Sequence, residues 1–231
     1  MNFPSPLISA KLIKRYKRFL ADVEMPDTSV ITVHCPNTGT MKTCSTPESP
    51  VLLSLSDNPK RKYPHTLEMI CESGHWVGVN TMRTNHLVAE GIEAGIVKEF
   101  NNVVKIKKEI KVSDKSRLDL LVEDANGQTY IEVKNCSMAI DGIAMFPDAV
   151  TTRGTKHLDE LIELVKKGER AVIFFLIQRE DVTHFTPARQ IDSVYADKLK
   201  EAKESGVTLL AYQADVTPAG IQLARPLPID L

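Results

Sequence analysis

No stretch of the chain is apolar for long enough to cross a bilayer, and the opening Met1-Asn2-Phe3-Pro4-Ser5-Pro6 lacks the basic start and apolar centre of a signal peptide. A cytoplasmic protein without a membrane partner is the expectation. Cysteine is scarce, and Cys35, Cys44, Cys71 and Cys136 are irregularly spaced with no Cys-x-x-Cys pair, which argues against a disulfide framework and a structural zinc. An excess of positive charge is also missing. Lysine and arginine number 29 against 30 acidic residues, a formal net charge of −1, which argues against tight charge-driven coating of a polyanion and leaves any nucleic-acid affinity to local, salt-sensitive patches. There is no Gly-rich phosphate loop, no nucleophile elbow, no internal repeat and no low-complexity tract.

With 231 residues, 42% of them hydrophobic, the chain can build two small domains, each with its own core. We place them at residues 1–80 and 81–231. The first part reads as short β segments, Tyr16 to Glu24, Val30 to His34, Val51 to Ser56, Thr66 to Cys71 and Trp76 to Val79, parted by Pro-, Gly- and Ser-bearing turns. Five such strands suit a small barrel. A longer loop with Pro36-Asn37-Thr38-Gly39 falls between the second and third, the kind of connection that often carries binding function. Near the start, Lys11, Lys14, Arg15, Lys17 and Arg18 are interleaved with Tyr16 and Phe19. Such a run offers phosphate-neutralising charge beside a surface on which a base can stack, although a solvated strand edge gives a similar pattern.

The segments Leu118 to Val122 and Tyr130 to Lys134, joined by Asp124-Ala125-Asn126-Gly127, read as a β-hairpin. Asp119 faces Glu132 if Ala125 and Asn126 are the central turn residues, and Lys134 if Asn126 and Gly127 are. The two registers differ by two residues, so both put Asp119, Glu132 and Lys134 on one face. Facing carboxylates repel unless a cation or proton intervenes, and hard oxygen ligands suit Mg2+ or Mn2+. Lys134 would add positive charge beside a bound water and phosphoryl oxygens. Cross-strand ion pairing on an exposed face is the plain alternative for these three residues.

Downstream, Val104, Ile106, Ile110 and Val112 alternate with charged residues as in a half-buried strand. Thr155 to Lys167 reads as a helix stopped by Gly168, Ala171 to Ile177 as a central strand apolar on both faces, Asp192 to Glu204 as a second helix and Val207 to Tyr212 as a final strand. This order indicates an α/β sheet covered by helices. The tail Pro226-Leu227-Pro228 is expected to lie across the surface. Upstream of the hairpin, Thr84 or Asn85 can cap a helix ending near Gly95, in which Glu90 borders the apolar side and Glu93 points away. Arg153, Lys156 and His157 start the helix after the hairpin, where free N–H groups can hold a phosphate.

An acid, a hairpin turn, Glu-x-Lys, then a helix and a buried strand resembles the PD-(D/E)xK nuclease superfamily. The segments His34-Cys35-Pro36-Asn37-Thr38-Gly39, Glu132-Val133-Lys134-Asn135-Cys136 and Phe146 to Leu158 resemble the sugar fermentation stimulation protein A family, over nearly the whole chain. That resemblance implies an α/β protein with an N-terminal OB-like β-barrel followed by a nuclease-like domain, its mixed central sheet flanked by helices, and a DNA-binding role proposed to regulate sugar metabolism. It also implies catalytic Asp119, Glu132 and Lys134, metal ligation by Asp119, Glu132 and the Val133 carbonyl, and Glu90 orienting a water. Nucleic-acid contacts then fall to Arg15, Lys17, Arg18, Arg153, Lys156 and His157. The sequence departs from the superfamily in having Leu118 before Asp119, and its Pro147-Asp148 pair reads as a coincidence.

Three functions compete: a metal-dependent nuclease with little sequence preference, a non-catalytic DNA-binding regulator of sugar use that keeps the nuclease architecture, and an RNA-binding protein or ribonuclease. Retention of all three hairpin residues favours the first. A homodimer is the default assembly.

Overall fold

The computed structural model describes residues 1–113 and 116–231. Strands β1 (Ile8–Tyr16), β2 (Leu20–Glu24), β3 (Val30–His34), β4 (Pro50–Leu55), β5 (His65–Glu72) and β6 (His75–Gly78) form one sheet in the order β3-β2-β1-β4-β5-β6. A parallel bridge from His34 to Thr66 joins β3 to β5 and closes the first five strands into an OB barrel. Leu12, Val23, Val33, Leu53, Leu67 and Val77 fill its core, because alternate side chains along each strand point inward. The continuous strand expected from Tyr16 to Glu24 is two strands. Lys17 and Arg18 adopt positive φ, so the chain reverses there, with Tyr16 paired to Leu20. The basic run thus lies on β1 and on the tip of a hairpin.

A 3-10 turn at Thr81–Arg83 leads into α1 (Thr84–Glu93). Asn80 caps the 3-10 turn by accepting from the Met82 N–H, so neither Thr84 nor Asn85 is the cap. The second sheet takes the order β15-β14-β12-β9-β8-β7, from β7 (Lys105–Ser113), β8 (Ser116–Asp124), β9 (Gly127–Cys136), β12 (Arg170–Ile177), β14 (Thr208–Thr217) and β15 (Gly220–Pro226). It is mixed: β12 runs parallel to β9 and β14, and the outer pairs are antiparallel. Nearly every residue of β12 is buried, as a central strand covered on both faces requires. Strands β10 (Met138–Ile140), β11 (Ile143–Phe146) and β13 (His184–Pro187) make a small third sheet.

One face of the large sheet packs on α1 through Leu87, Val88 and Ile92. The other packs on α2 (Thr152–Lys166) and α3 (Ser193–Glu204) through Leu158, Leu161, Tyr195 and Leu199. α2 begins three residues earlier than its apolar stripe indicates, because Thr151 caps it by accepting from the Gly154 N–H. Asp192 caps α3 and also accepts from the Thr151 N–H, tying the two helix starts together.

The halves share a core. Leu52 and Met69 of the barrel join the cluster under α1, and the Gly78 N–H donates to the Gln178 carbonyl. The first residues belong with the second sheet: Met1 donates its amino group to the Ile221 carbonyl, and Asn2 bridges Gly220. The tail runs along the surface, with Pro226 and Pro228 exposed, and is anchored there. Leu227 is buried, and the backbone of Leu227, Pro228 and Asp230 bonds to Ala211 and Phe185. No helix among the described residues is long and apolar enough to cross a membrane.

Candidate active site

Asp124 pairs with Gly127 and Leu120 with Ile131, so Ala125 and Asn126 are the central turn residues and Asp119 is in line with Glu132. The regular ladder stops there. The Val133 N–H donates to Asp119 Oδ2 (2.8 Å) instead of to a β8 carbonyl, and Asn85 Nδ2 on α1 donates to Oδ1 (2.8 Å). A strand residue directs its N–H and C=O to the same side, so the Val133 carbonyl faces the Asp119 edge. Across from Asp119, Glu109 of β7 takes a φ of 53°, between the Lys108–Leu120 and Ile110–Leu118 pairs.

Glu132 is 3% exposed. Its Oε1 takes the Lys134 ammonium (2.5 Å) and contacts His157 Nδ1, while Oε2 is buried without a hydrogen-bond partner among the described residues. Lys134 Nζ also lies 3.2 Å from His157 Nδ1, and Arg153 Nε donates to His157 Nε2 (3.3 Å). His157 reaches the acids because it falls on the buried stripe of α2, one residue before Leu158.

The two carboxyls titrate in opposite senses. Burial, reinforced by the Glu132 charge, pushes Asp119 above its ordinary value against the pull of the Val133 N–H, Asn85 and Lys134. Burial would likewise raise Glu132, but the His157 hydrogen bond and the Lys134 charge together outweigh it and hold the group below its ordinary value. A carboxyl that resists ionisation next to an orphaned carboxylate oxygen is short of positive charge. A hard dication fits that need: magnesium takes one or two protein carboxylates and completes its shell with water and phosphate oxygens. No group of three or more His, Cys or acidic side chains among the described residues is arranged as a metal cage, so the protein could supply only part of a shell.

These groups line a cavity of about 540 Å³ whose opposite wall comes from the barrel: Arg18, Asn37, Thr38 and Gly39. Arg15, expected to contact nucleic acid, is engaged by the protein itself. Its guanidinium donates to the carbonyls of Arg18, Asn37, Gly39 and Thr40 at 2.6–3.2 Å, so its charge braces the loop. Asp148 holds the same loop from the other half, accepting from Thr40 Oγ1 and the Met41 N–H. Pro147 and Asp148 both line the cleft, and Asp148 ties its walls together.

Glu90, expected to orient a water at the acids, is not among the residues brought to the cleft. It pairs with the Met1 amino group (2.9 Å) and faces His86, away from the cleft, because the cleft side of α1 is its first turn, where Thr84 and Asn85 sit. Arg153 and His157 line the cavity, whereas Lys17 and Lys156 are exposed outside it. Asn85, Asn135 and Asp148 went unread as site residues. Asn135 follows Glu-x-Lys and receives a hydrogen bond from Gln178; amides carry no sequence signal that separates such a role from an ordinary polar surface.

A family model described as the SfsA N-terminal OB domain matches residues 13–79, and one described as the sugar fermentation stimulation protein RE domain matches 82–220. The chain is 62% identical over its whole length to a sugar fermentation stimulation protein homolog of Desulfotalea psychrophila, covering 95% of that protein. It is 50% identical over 99% of its length to a homolog of Geobacter sulfurreducens, covering 98% of it. Among solved structures, Pyrococcus furiosus SfsA in complex with Ca2+ superposes with a TM-score of 0.92 at 28% identity, covering 100% of this chain and 98% of that one. With barrel and mixed-sheet domain both matched from end to end, the chain belongs to the sugar fermentation stimulation protein family.

Proposed function

We propose that this protein binds DNA in the interdomain cleft and hydrolyses phosphodiester bonds there with Mg2+ or Mn2+, with little sequence preference. The observation that carries the reading is Glu132 Oε2, a buried carboxylate oxygen without a hydrogen-bond partner among the described residues, near Asp119, whose carboxyl resists ionisation. The Ca2+ in the Pyrococcus furiosus relative supports a hard dication. Asp119, Glu132 and the Val133 carbonyl would hold the ion, which when bound supplies Lewis-acid polarisation of a phosphate and a more acidic water. Lys134 keeps an ammonium beside Glu132, where negative charge collects as the phosphoryl centre is attacked. His157 holds Glu132 in position, and Arg18 and Arg153 give the cleft positive charge for phosphates on either side. Asn85 orients Asp119 and so takes the place on α1 that the sequence reading assigned to Glu90.

A second reading, a non-catalytic DNA-binding regulator, draws support from Glu132 Oε1 itself, which already receives both Lys134 and His157. Incubation of plasmid, linear duplex, single strands and RNA with magnesium, manganese or chelator, repeated for Asp119→Ala and Lys134→Ala, tests the choice. Hydrolysis requires product that appears with metal and vanishes in both variants. Retained binding without product on any substrate leaves the regulator, and product from RNA alone makes the protein a ribonuclease.

A further inference from the structure

The cleft is walled on both sides by fixed structure. Loop 37–41 is bonded to Arg15 from below and to Asp148 from across the gap, and the Ala139 N–H donates to Thr43 Oγ1 just beyond it. The space between loop and acids, about 540 Å³, is that of a pocket for one small molecule, about 300–1,000 Å³.

One exposed apolar side chain lines the cavity and two more adjoin lining residues in the chain, where a polyanion's phosphates alone would not require them. Phe19 (47% exposed) follows cavity-lining Arg18 on the barrel hairpin, Met82 (75%) stands between cavity-lining Thr81 and Thr84, and Val150 (73%) is itself in the wall. Apolar and aromatic surfaces next to cations are the pattern that receives unstacked bases. We propose that the cleft admits an unpaired nucleic-acid strand or frayed end, one nucleotide at a time, with bases resting on Phe19, Met82 and Val150 and phosphates on Arg18 and Arg153. The proposal rests on the cleft being the nucleic-acid site, but not on hydrolysis.

Fluorescence anisotropy of the full chain in chelator, with a short labelled oligothymidylate, the matching oligouridylate and a blunt hairpin duplex, tests it. The unpaired strands are expected to bind about tenfold more tightly than the duplex, and Phe19→Ala/Met82→Ala/Val150→Ser to remove most of that margin by weakening strand binding. The two oligonucleotides report which sugar is preferred. Equal or tighter duplex binding overturns the proposal, as does an unaltered strand preference in the triple variant or no binding to any probe. Strand preference without metal-dependent product sinks hydrolysis alone, and duplex preference with product sinks this inference alone.

Discussion

Asp119 and Glu132 differ in what ionisation does to the fold. Glu132 sits below its ordinary value of 4.5, so its contribution to stability is fully present above that pH and is lost as pH falls through the lowered folded value. Asp119 lies above its ordinary value of 3.8, so its contribution is present below that pH and is lost as pH rises through the raised folded value. Asp119→Asn is therefore expected to raise the melting temperature at neutral pH in chelator, by about 2–4 °C for each kcal/mol of relieved charge. Glu132→Gln should do the reverse, costing about 3 kcal/mol, because Lys134 and His157 would face a neutral amide in a buried site. Scanning calorimetry of both variants checks the pair, and a melting temperature that moves the same way in both would refute the assignment. Titration calorimetry with Mn2+ should show binding to the unaltered protein and none to Asp119→Ala or Glu132→Ala.

At the level of elements, the turn decides how the acids meet. Both hairpin registers read from the sequence put them on one face, but only the turn centred on Ala125-Asn126 puts Asp119 where the ladder opens and the Val133 N–H is free to bind it. Helix α1 was legible in its span and its apolar side, yet its direction relative to the sheet was not, which is why Glu90 was misplaced. The β1–β2 hairpin was missed because Lys17 and Arg18 are unusual residues for positive φ. Loop 37–41 depends on Arg15: Arg15→Ala is expected to cost about 2–4 kcal/mol, from several charge-assisted hydrogen bonds to carbonyls, and to open the loop to proteolysis. Limited digestion that spares residues 37–41 in that variant would remove the bracing role. Gly39→Ala probes the same contact, since its new Cβ would meet the Asp148 carboxylate at 2.4 Å. A loss of about 1–3 kcal/mol is expected from the overpacking.

Across the whole molecule, barrel and mixed sheet share one apolar cluster through Leu52 and Met69, with Trp76 packed against it. The halves should unfold together, so the fluorescence of the only tryptophan and far-UV circular dichroism are expected to give coincident transitions; separated midpoints would show independent domains. Arg18→Ala and Arg153→Ala should each weaken nucleic-acid binding and flatten its salt dependence by about 0.7–0.9 in log–log slope, measured by anisotropy, while Lys17→Ala and Lys156→Ala, outside the cleft, should change the slope less. The amino-acid order by itself determined the barrel followed by an α/β sheet, the buried β12, and the hairpin bearing Asp119, Glu132 and Lys134, because alternation and turn chemistry are local properties. Only the tertiary structure decided that Arg15 braces a loop, that Glu90 binds the chain start, and that Asp148 and the loop near Gly39 join the two halves over the acids. Those outcomes depend on contacts between residues up to 108 positions apart, which no local pattern encodes.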